Sequence, residues 1–315
     1  MTAARSTSAG TSPREQLLAR AHQAYVTGRP ADAREPHLAG VLRDTLATPG
    51  NLTRLQLGLI AGIALELPAA AAQPLASALE YFHTASLLLD DLPCMDDAQM
   101  RRGRPCPHVV HGEGSTILGA LAFINRGYRL VWDAMTAVPE PRRASAAIHV
   151  ERCLGTAGVL DGQSLDLHFA DTDRSPRSVA RIALGKTVAL LRLSLITPAL
   201  LAGVGARERL LVDRVSVAWG LAYQIADDFG DLDSSGTTGK TQGRDAGRGH
   251  PNFVIAAGRE AASARLRRLL GLLDTSFRSL VALRPGWRTL GPLIDRFGVA
   301  ASAHLHDPLP ATRCA

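Results

Sequence analysis

From about residue 14 to residue 300, apolar positions recur at intervals of three and four, the period of helices that bury one face. This pattern predicts helices near 15–26, 36–47, 51–66, 71–92, 114–136, 141–169, 177–203, 207–232, 252–273 and 287–298. Turn chemistry separates them at Thr27-Gly28-Arg29-Pro30, at Pro49-Gly50, from Gly103 to Pro107 and from Asp231 to Pro251. Strand-like alternation is scarce, and no short repeat runs through the chain. Long helices joined by short breaks predict an all-α fold, a helical bundle whose functional site lies in its core. The pattern places one helical domain at 14–302, between a flexible N-terminal tail at 1–13 and a loose C-terminal tail at 303–315.

Composition narrows the class. The chain has 315 residues, 46% of them hydrophobic and only 4% aromatic, so its core is expected to be aliphatic. A net charge of +6 points to an anionic partner. The arginines are scattered, without a basic block or aromatic interleaving, which argues against nucleic acid and leaves a phosphorylated small substrate. Cys94, Cys106, Cys153 and Cys314 form no metal-binding spacing, so reduced thiols and a cytoplasmic location are expected. No membrane span is expected, because the longest apolar candidate, Val188 to Val204, is interrupted by Arg192 and Pro198.

The chemistry concentrates in two aspartate clusters. Asp90, Asp91, Asp96 and Asp97 lie in LLLDDLPCMDDAQMRRGRP; Asp227, Asp228 and Asp231 lie in LAYQIADDFGD. Each follows an apolar helical run. Carboxylates crowded in this way repel unless cations lie between them, and all-oxygen donors suit Mg²⁺ together with water and substrate phosphates. A solvated acidic patch is the plainer alternative. Asp227 and Asp231 are four apart and share a helix face, whereas Asp228 points about 100° away and is expected to support or pair with a neighbour. Asp90 and Asp96 would diverge by about 240° on one continuous helix. Pro93 disfavours helix at Leu92, so a break there would let the second pair turn back.

Cations accompany these clusters. Lys186 and Lys240 are the only lysines, against 35 basic residues in total. An ammonium on a flexible stem suits a phosphate oxygen, although chance retention is the simpler account. Arg101 and Arg102 directly follow the first cluster; they also fit an ordinary helix-end charge pair. His83 lies two turns before Asp90 on the same face, where a core histidine would equally serve. No Ser-His-Asp or Cys-His arrangement is evident.

Taken together, HTASLLLDDLPCMDDAQMRRGRP and YQIADDFGD, in this order and spacing, resemble the trans-type polyprenyl diphosphate synthases, with the nearest likeness to carotenoid-type geranylgeranyl diphosphate synthases. GEGSTILGALAFINRGY, GVLDGQSLDL and GKTQGRDAGRGHPNF extend the likeness over about 36 to 300. The resemblance implies the isoprenoid synthase fold, usually as a homodimer, and a prenyltransferase joining an allylic diphosphate to isopentenyl diphosphate. It implies three Mg²⁺ ions held by Asp90, Asp96 and Asp227, with Asp97 and Asp231 close by. Asp91 would belong to the same catalytic set. Arg101, Lys186, Thr187, Gln224 and Lys240 would hold the allylic diphosphate. Arg54, His83 and Arg102 would hold isopentenyl diphosphate, with Asn51 at a fourth position. Ala85 and Ser86, small residues before the first cluster, would leave room for a geranylgeranyl-length product.

The likeness fails at one place. Where the family reads Gly-Lys-Arg-x-Arg-Pro, this chain reads Gly50-Asn51-Leu52-Thr53-Arg54-Leu55. A smaller departure is His250, where a lysine is common. An intact ionisation half beside a thinned acceptor half also fits a terpene synthase-like enzyme or a prenyltransferase with another acceptor. A regulatory partner subunit is a further alternative, against which the complete aspartate clusters argue.

Overall fold

The computed structural model describes residues 13–233 and 250–305. Its helices are α1 (Pro13–Thr27), α2 (Pro36–Leu46), α3 (Thr53–Ala64) and α4 (Ala69–Asp90), followed by α5 (Pro107–His111), α6 (Glu113–Thr136), α7 (Glu140–Leu154), α8 (Val159–Leu167) and α9 (Pro176–Ala183). Then come α10 (Ala189–Ala202), α11 (Ala206–Asp233), α12 (Phe253–Ala257), α13 (Arg259–Leu283) and α14 (Gly291–Ser302). The described residues contain one sheet, a two-stranded hairpin of β1 (Met100–Arg101) and β2 (Arg104–Pro105). Of the tails expected at 1–13 and 303–315, residues 1–12 and 306–315 fall outside the described residues, while Pro13 opens α1 and Leu305 packs in a core cluster.

Helix α4 is the centre of the bundle, packed against α3 on one side and α6 on the other, while α11 packs against α10 and α13. The main core joins Leu55, Leu75, Leu79, Phe123, Leu130 and Leu193. A second core surrounds Trp219, Phe277 and Trp287. Glycine permits the closest helix contacts. A Cβ on Gly58 would lie 2.8 Å from Leu79 and 3.0 Å from the Ala76 backbone, so α3 rests directly on α4.

Several predicted boundaries shift, each for a local reason. The expected helix 141–169 is two helices. Gly155 is extended, and a Cβ on Gly158 would lie 2.1 Å from the Cys153 carbonyl oxygen, a position only glycine can occupy. The run 177–203 is helical throughout but contains a π-helical turn at Leu184–Val188. Gly258, at φ 83°, divides the expected 252–273 helix, and its second part continues to Leu283. The 287–298 helix begins as a 3₁₀ turn at Pro285–Leu290. Helix α3 starts later than expected because Leu52 is left-handed, at φ 48°. The hairpin was not expected; it is too short to show alternation, and its turn places Arg102 and Gly103 at positive φ.

Candidate functional site

A cavity of about 390 Å³ opens between α4, α8, α9, α10 and α11. Its lining includes Asp90 and Asp96 of the first cluster, Asp227 and Asp231 of the second, and Lys186, Thr187 and Gln224. Arg54, His83, Ser86 and His250 also line it. Leu87, Leu89, Leu160 and Leu190 give it apolar walls.

The first cluster reaches the cavity because its chain folds back. Helix α4 ends at Asp90; beyond it, the Asp96 amide donates to the Asp90 carbonyl at 2.8 Å and the Asp97 amide to that of Leu92 at 2.9 Å. Asp97 takes a left-handed conformation, at φ 51°, to close this loop. Asp90 and Asp96 therefore share the cavity despite their spacing. Asp91 turns away. It is buried and forms a two-armed ion pair with Arg101, both contacts at 2.7 Å. The hairpin brings Arg101 into this pair.

Among the elements that carry the lysine and its partners, the π turn is the main device. Such turns insert an extra residue into a helix and often occur at functional sites. Gly162 of α8 and Gly185 of the turn make it possible: a Cβ on Gly162 would lie 2.4 Å from the Lys186 amide nitrogen. At this contact, Lys186 Nζ donates to Asp166 at 2.6 Å and lies 3.9 Å from Asp90. The neighbouring Thr187 hydroxyl donates to Gln224 Oε1 at 2.9 Å, and Gln224 Nε2 donates to Asp228 at 2.9 Å. Asp228 is 2% exposed and also accepts the Phe253 amide at 2.6 Å. Its expected supporting position is thus a bridge between α11 and the chain entering α12.

Electrostatics favour a cation among the carboxylates. Burial pushes Asp90 up to about 6, with Lys186 opposing the rise and Asp96 and Asp166 adding to it. Burial alone would lower Lys186, but Asp90 and Asp166 hold it above its ordinary value. This all-oxygen donor set fits Mg²⁺. Among the described residues, no three His, Cys, Asp or Glu side chains gather closely enough to hold an ion unaided. Mg²⁺ normally takes one or two carboxylates and completes its shell with waters and substrate phosphates.

His83 and Arg54 also line the cavity. Burial, followed by Arg54, Arg102 and Arg101, lowers His83 well below its ordinary value. Its Nδ1 is buried without a hydrogen-bond partner.

The remaining expected residues lie elsewhere. Arg101, Arg102 and Asp91 line a separate crevice of about 190 Å³ beside α4. Arg102 lies over Gly50 and donates to the Thr48 carbonyl at 2.7 Å. Asn51 is exposed and does not line the cavity, while Leu52 is 1% exposed in the main core. Asp97 is half-buried outside the cavity lining, and Ala85 is buried in the core. Lys240 falls outside the described residues.

Sequence reasoning missed Asp166, Gln163 and Glu80. Asp166 lies in GVLDGQSLDL, a segment that extends the family likeness but in which no residue was singled out. Gln163, one turn earlier, faces the same cavity. Glu80 is a lone carboxylate within the apolar run before the first cluster, and that position was the available signal.

Comparison with known proteins agrees with this geometry. A family profile described as polyprenyl synthetase matches residues 35–281. The chain is 32% identical over 262 residues to a geranylgeranyl diphosphate synthase of Pantoea ananas, covering 82% of this chain and 84% of the relative. It is 36% identical over 211 residues to the farnesyl diphosphate synthase of Escherichia coli, covering 66% and 70%. A Helicobacter pylori geranyltransferase solved with magnesium and isoprenyl diphosphate shares the fold, with a TM-score of 0.76 at 22% identity over 90% of this chain and 97% of that one. The family match spans most of the chain, and the relatives carry it at identities above thirty per cent, so this all-α protein belongs to the polyprenyl synthetase family.

Proposed function

We propose that this prenyltransferase condenses an allylic diphosphate with isopentenyl diphosphate to give geranylgeranyl diphosphate or a similar polyprenyl diphosphate. One observation carries the reading: a single cavity is lined by carboxylates of both aspartate clusters together with a lysine, an arginine and a histidine. Asp90 and Asp96 of the first cluster, with Asp227 and Asp231 of the second, would hold Mg²⁺, three ions by the family resemblance. When bound, Mg²⁺ neutralises negative charge building on the departing diphosphate.

The protein groups do the rest. Lys186 is positioned by Asp166 to meet a diphosphate oxygen, and Thr187 and Gln224 are held in place by Asp228. Arg54 and His83 offer donors to the second diphosphate, and Ser86 keeps the wall small where the chain grows. Leu87, Leu89 and Leu190 would line the path of the allylic carbocation with apolar surface, which favours its meeting a double bond over water. Purified protein given farnesyl and isopentenyl diphosphates with Mg²⁺ is expected to release geranylgeranyl diphosphate and to stop when the metal is chelated. Absence of any elongated product sinks the proposal.

The Asn51–Leu52 segment supports a second reading, in which the cation is captured by another acceptor or cyclises. A hydrocarbon or prenylated non-isoprenoid, formed from geranylgeranyl diphosphate without isopentenyl diphosphate, identifies it. We also read the working form as a homodimer, because α6 presents Leu118, Leu121, Tyr128 and Trp132 to solvent. A cytoplasmic location fits the unbridged Cys94 and Cys153. Among the described residues, no helix is long and apolar enough to cross a membrane.

A further inference from the structure

Glu80 is a carboxylate with no place in the chemistry assigned so far. It is 2% exposed, in the middle of α4 and one turn before His83. Buried carboxylates are rare and costly unless they are hydrogen-bonded or paired. Its Oε2 accepts the Leu55 amide at 3.0 Å, and the neighbouring Arg54 amide also favours its charged form. Both are first-turn amides of α3, which would otherwise have no intrahelical acceptor. Leu52, the residue preceding α3, supplies no side-chain cap and is left-handed. Helix α3 is therefore capped from another helix, and the close approach at Gly58 brings the two within reach.

The cap lies where it can act on the site. Arg54, which precedes the capped Leu55, also lines the cavity together with His83. Burial raises the Glu80 carboxyl on balance, and the Arg54 and Arg102 guanidiniums oppose that rise. Cationic groups gathered to receive a diphosphate repel one another before it arrives. When ionised, a carboxylate fixed behind them offsets that repulsion.

Building on the isopentenyl-site reading, we propose that Glu80 is the positioning residue of that site: it fixes the first turn of α3, and through it Arg54, against α4. Glutamine is the informative replacement. It keeps the size of the side chain, but its amide group can present an N–H to the Leu55 amide, and it cannot carry a negative charge. Arg54 then loses its fixed entry into the cavity.

The test compares full-length wild type, Glu80→Gln, Glu80→Asp, Arg54→Ala and the Glu80→Gln/Arg54→Ala double variant. The KM for each substrate is measured separately, along with isopentenyl diphosphate binding by calorimetry. Glu80→Gln is expected to raise the isopentenyl diphosphate KM about tenfold, the scale of one charge-assisted contact. The allylic KM should stay within about twofold, because Lys186 and its partners are untouched. Glu80→Asp, which retains the charge, should recover part of the loss. Adding Glu80→Gln to Arg54→Ala should cost little more than Arg54→Ala alone, since the two act through one contact. Equal losses for both substrates, fully additive effects, or tighter isopentenyl diphosphate binding in Glu80→Gln would overturn the proposal. If wild type itself fails to bind isopentenyl diphosphate, the functional reading fails, and the result is distinct from a normal wild type with an unaffected variant.

Discussion

A diphosphate is held by fixed positive charge, and single residues decide how much of that charge this cavity can supply. Lys186 is fixed by Asp166 and faces Asp90. Asn51 contributes no charge, and its carbonyl accepts Gln56 Nε2 at 2.6 Å. Leu52 has become part of the hydrophobic core, so a basic residue there would be buried rather than presented to a ligand. Asn51 is exposed and can change without disturbing the core. Asn51→Lys is expected to lower the isopentenyl diphosphate KM about tenfold, the equivalent of roughly 1.5 kcal/mol for a charge-assisted contact. Steady-state kinetics with each substrate varied in turn will measure it; an unchanged KM would mean that the loop does not reach the second diphosphate.

Two helical segments touch through glycine, and this element-scale contact fixes the Lys186–Asp166 pair that the proposal assigns to diphosphate ionisation. Gly162 and Gly185 let α8 meet the π turn closely enough for Asp166 to bind Lys186. Gly162→Ala would force the turn outward. Overpacking of this kind costs about 1–3 kcal/mol, but the loss of turnover should be greater, at least tenfold, because Lys186 moves with its backbone. Thermal unfolding and kcat measured on the same preparation will separate the two effects. Another inter-element clamp joins the start of α11 to the 3₁₀ turn. Glu208 accepts Arg284 Nε at 2.7 Å and Trp287 Nε1 at 2.8 Å. Burial pushes its carboxyl upward, yet these hydrogen bonds outweigh it and hold the carboxyl below its ordinary 4.5. A depressed carboxyl stabilises the fold above the unfolded value and loses that contribution as pH falls. Melting temperature should therefore decline as pH drops below about 4.5, and Glu208→Gln should lower it at pH 7 while flattening that decline. An identical pH profile in the variant would remove Glu208 from the account.

At the scale of the molecule, the clearest unfinished surface is the outer face of α6. Leu118, Leu121, Tyr128 and Trp132 follow helical spacing and are 55%, 47%, 48% and 61% exposed. Opposite them, the same helix buries Ala120, Phe123, Leu130 and Val131 in the main core. A helix apolar on two faces requires a partner on the second, and symmetric self-association is the commonest solution. Light scattering is expected to give twice the 33.4 kDa chain mass for wild type and the single-chain mass for a Leu121→Glu/Trp132→Glu double variant. A monomeric wild type would refute the dimer.

Sequence periodicity alone determined that this chain is a helical bundle, because each helix records its buried face at intervals of three and four. The same one-dimensional signal located the two aspartate clusters, the paired arginines and Lys186, since charge within or just after an apolar run is conspicuous. It also marked Asn51 and Leu52 as departures. It could not reveal that Asp91 is committed to Arg101, that Asp166 holds Lys186, or that Glu80 caps α3 from α4. Those pairings join residues that are 10, 20 and 25 positions apart. Tertiary structure decided them, because close helix packing at glycines and a two-residue hairpin leave no periodic trace in the chain. Which carboxylates remain available to a metal, and which are consumed by their neighbours, depends on those contacts.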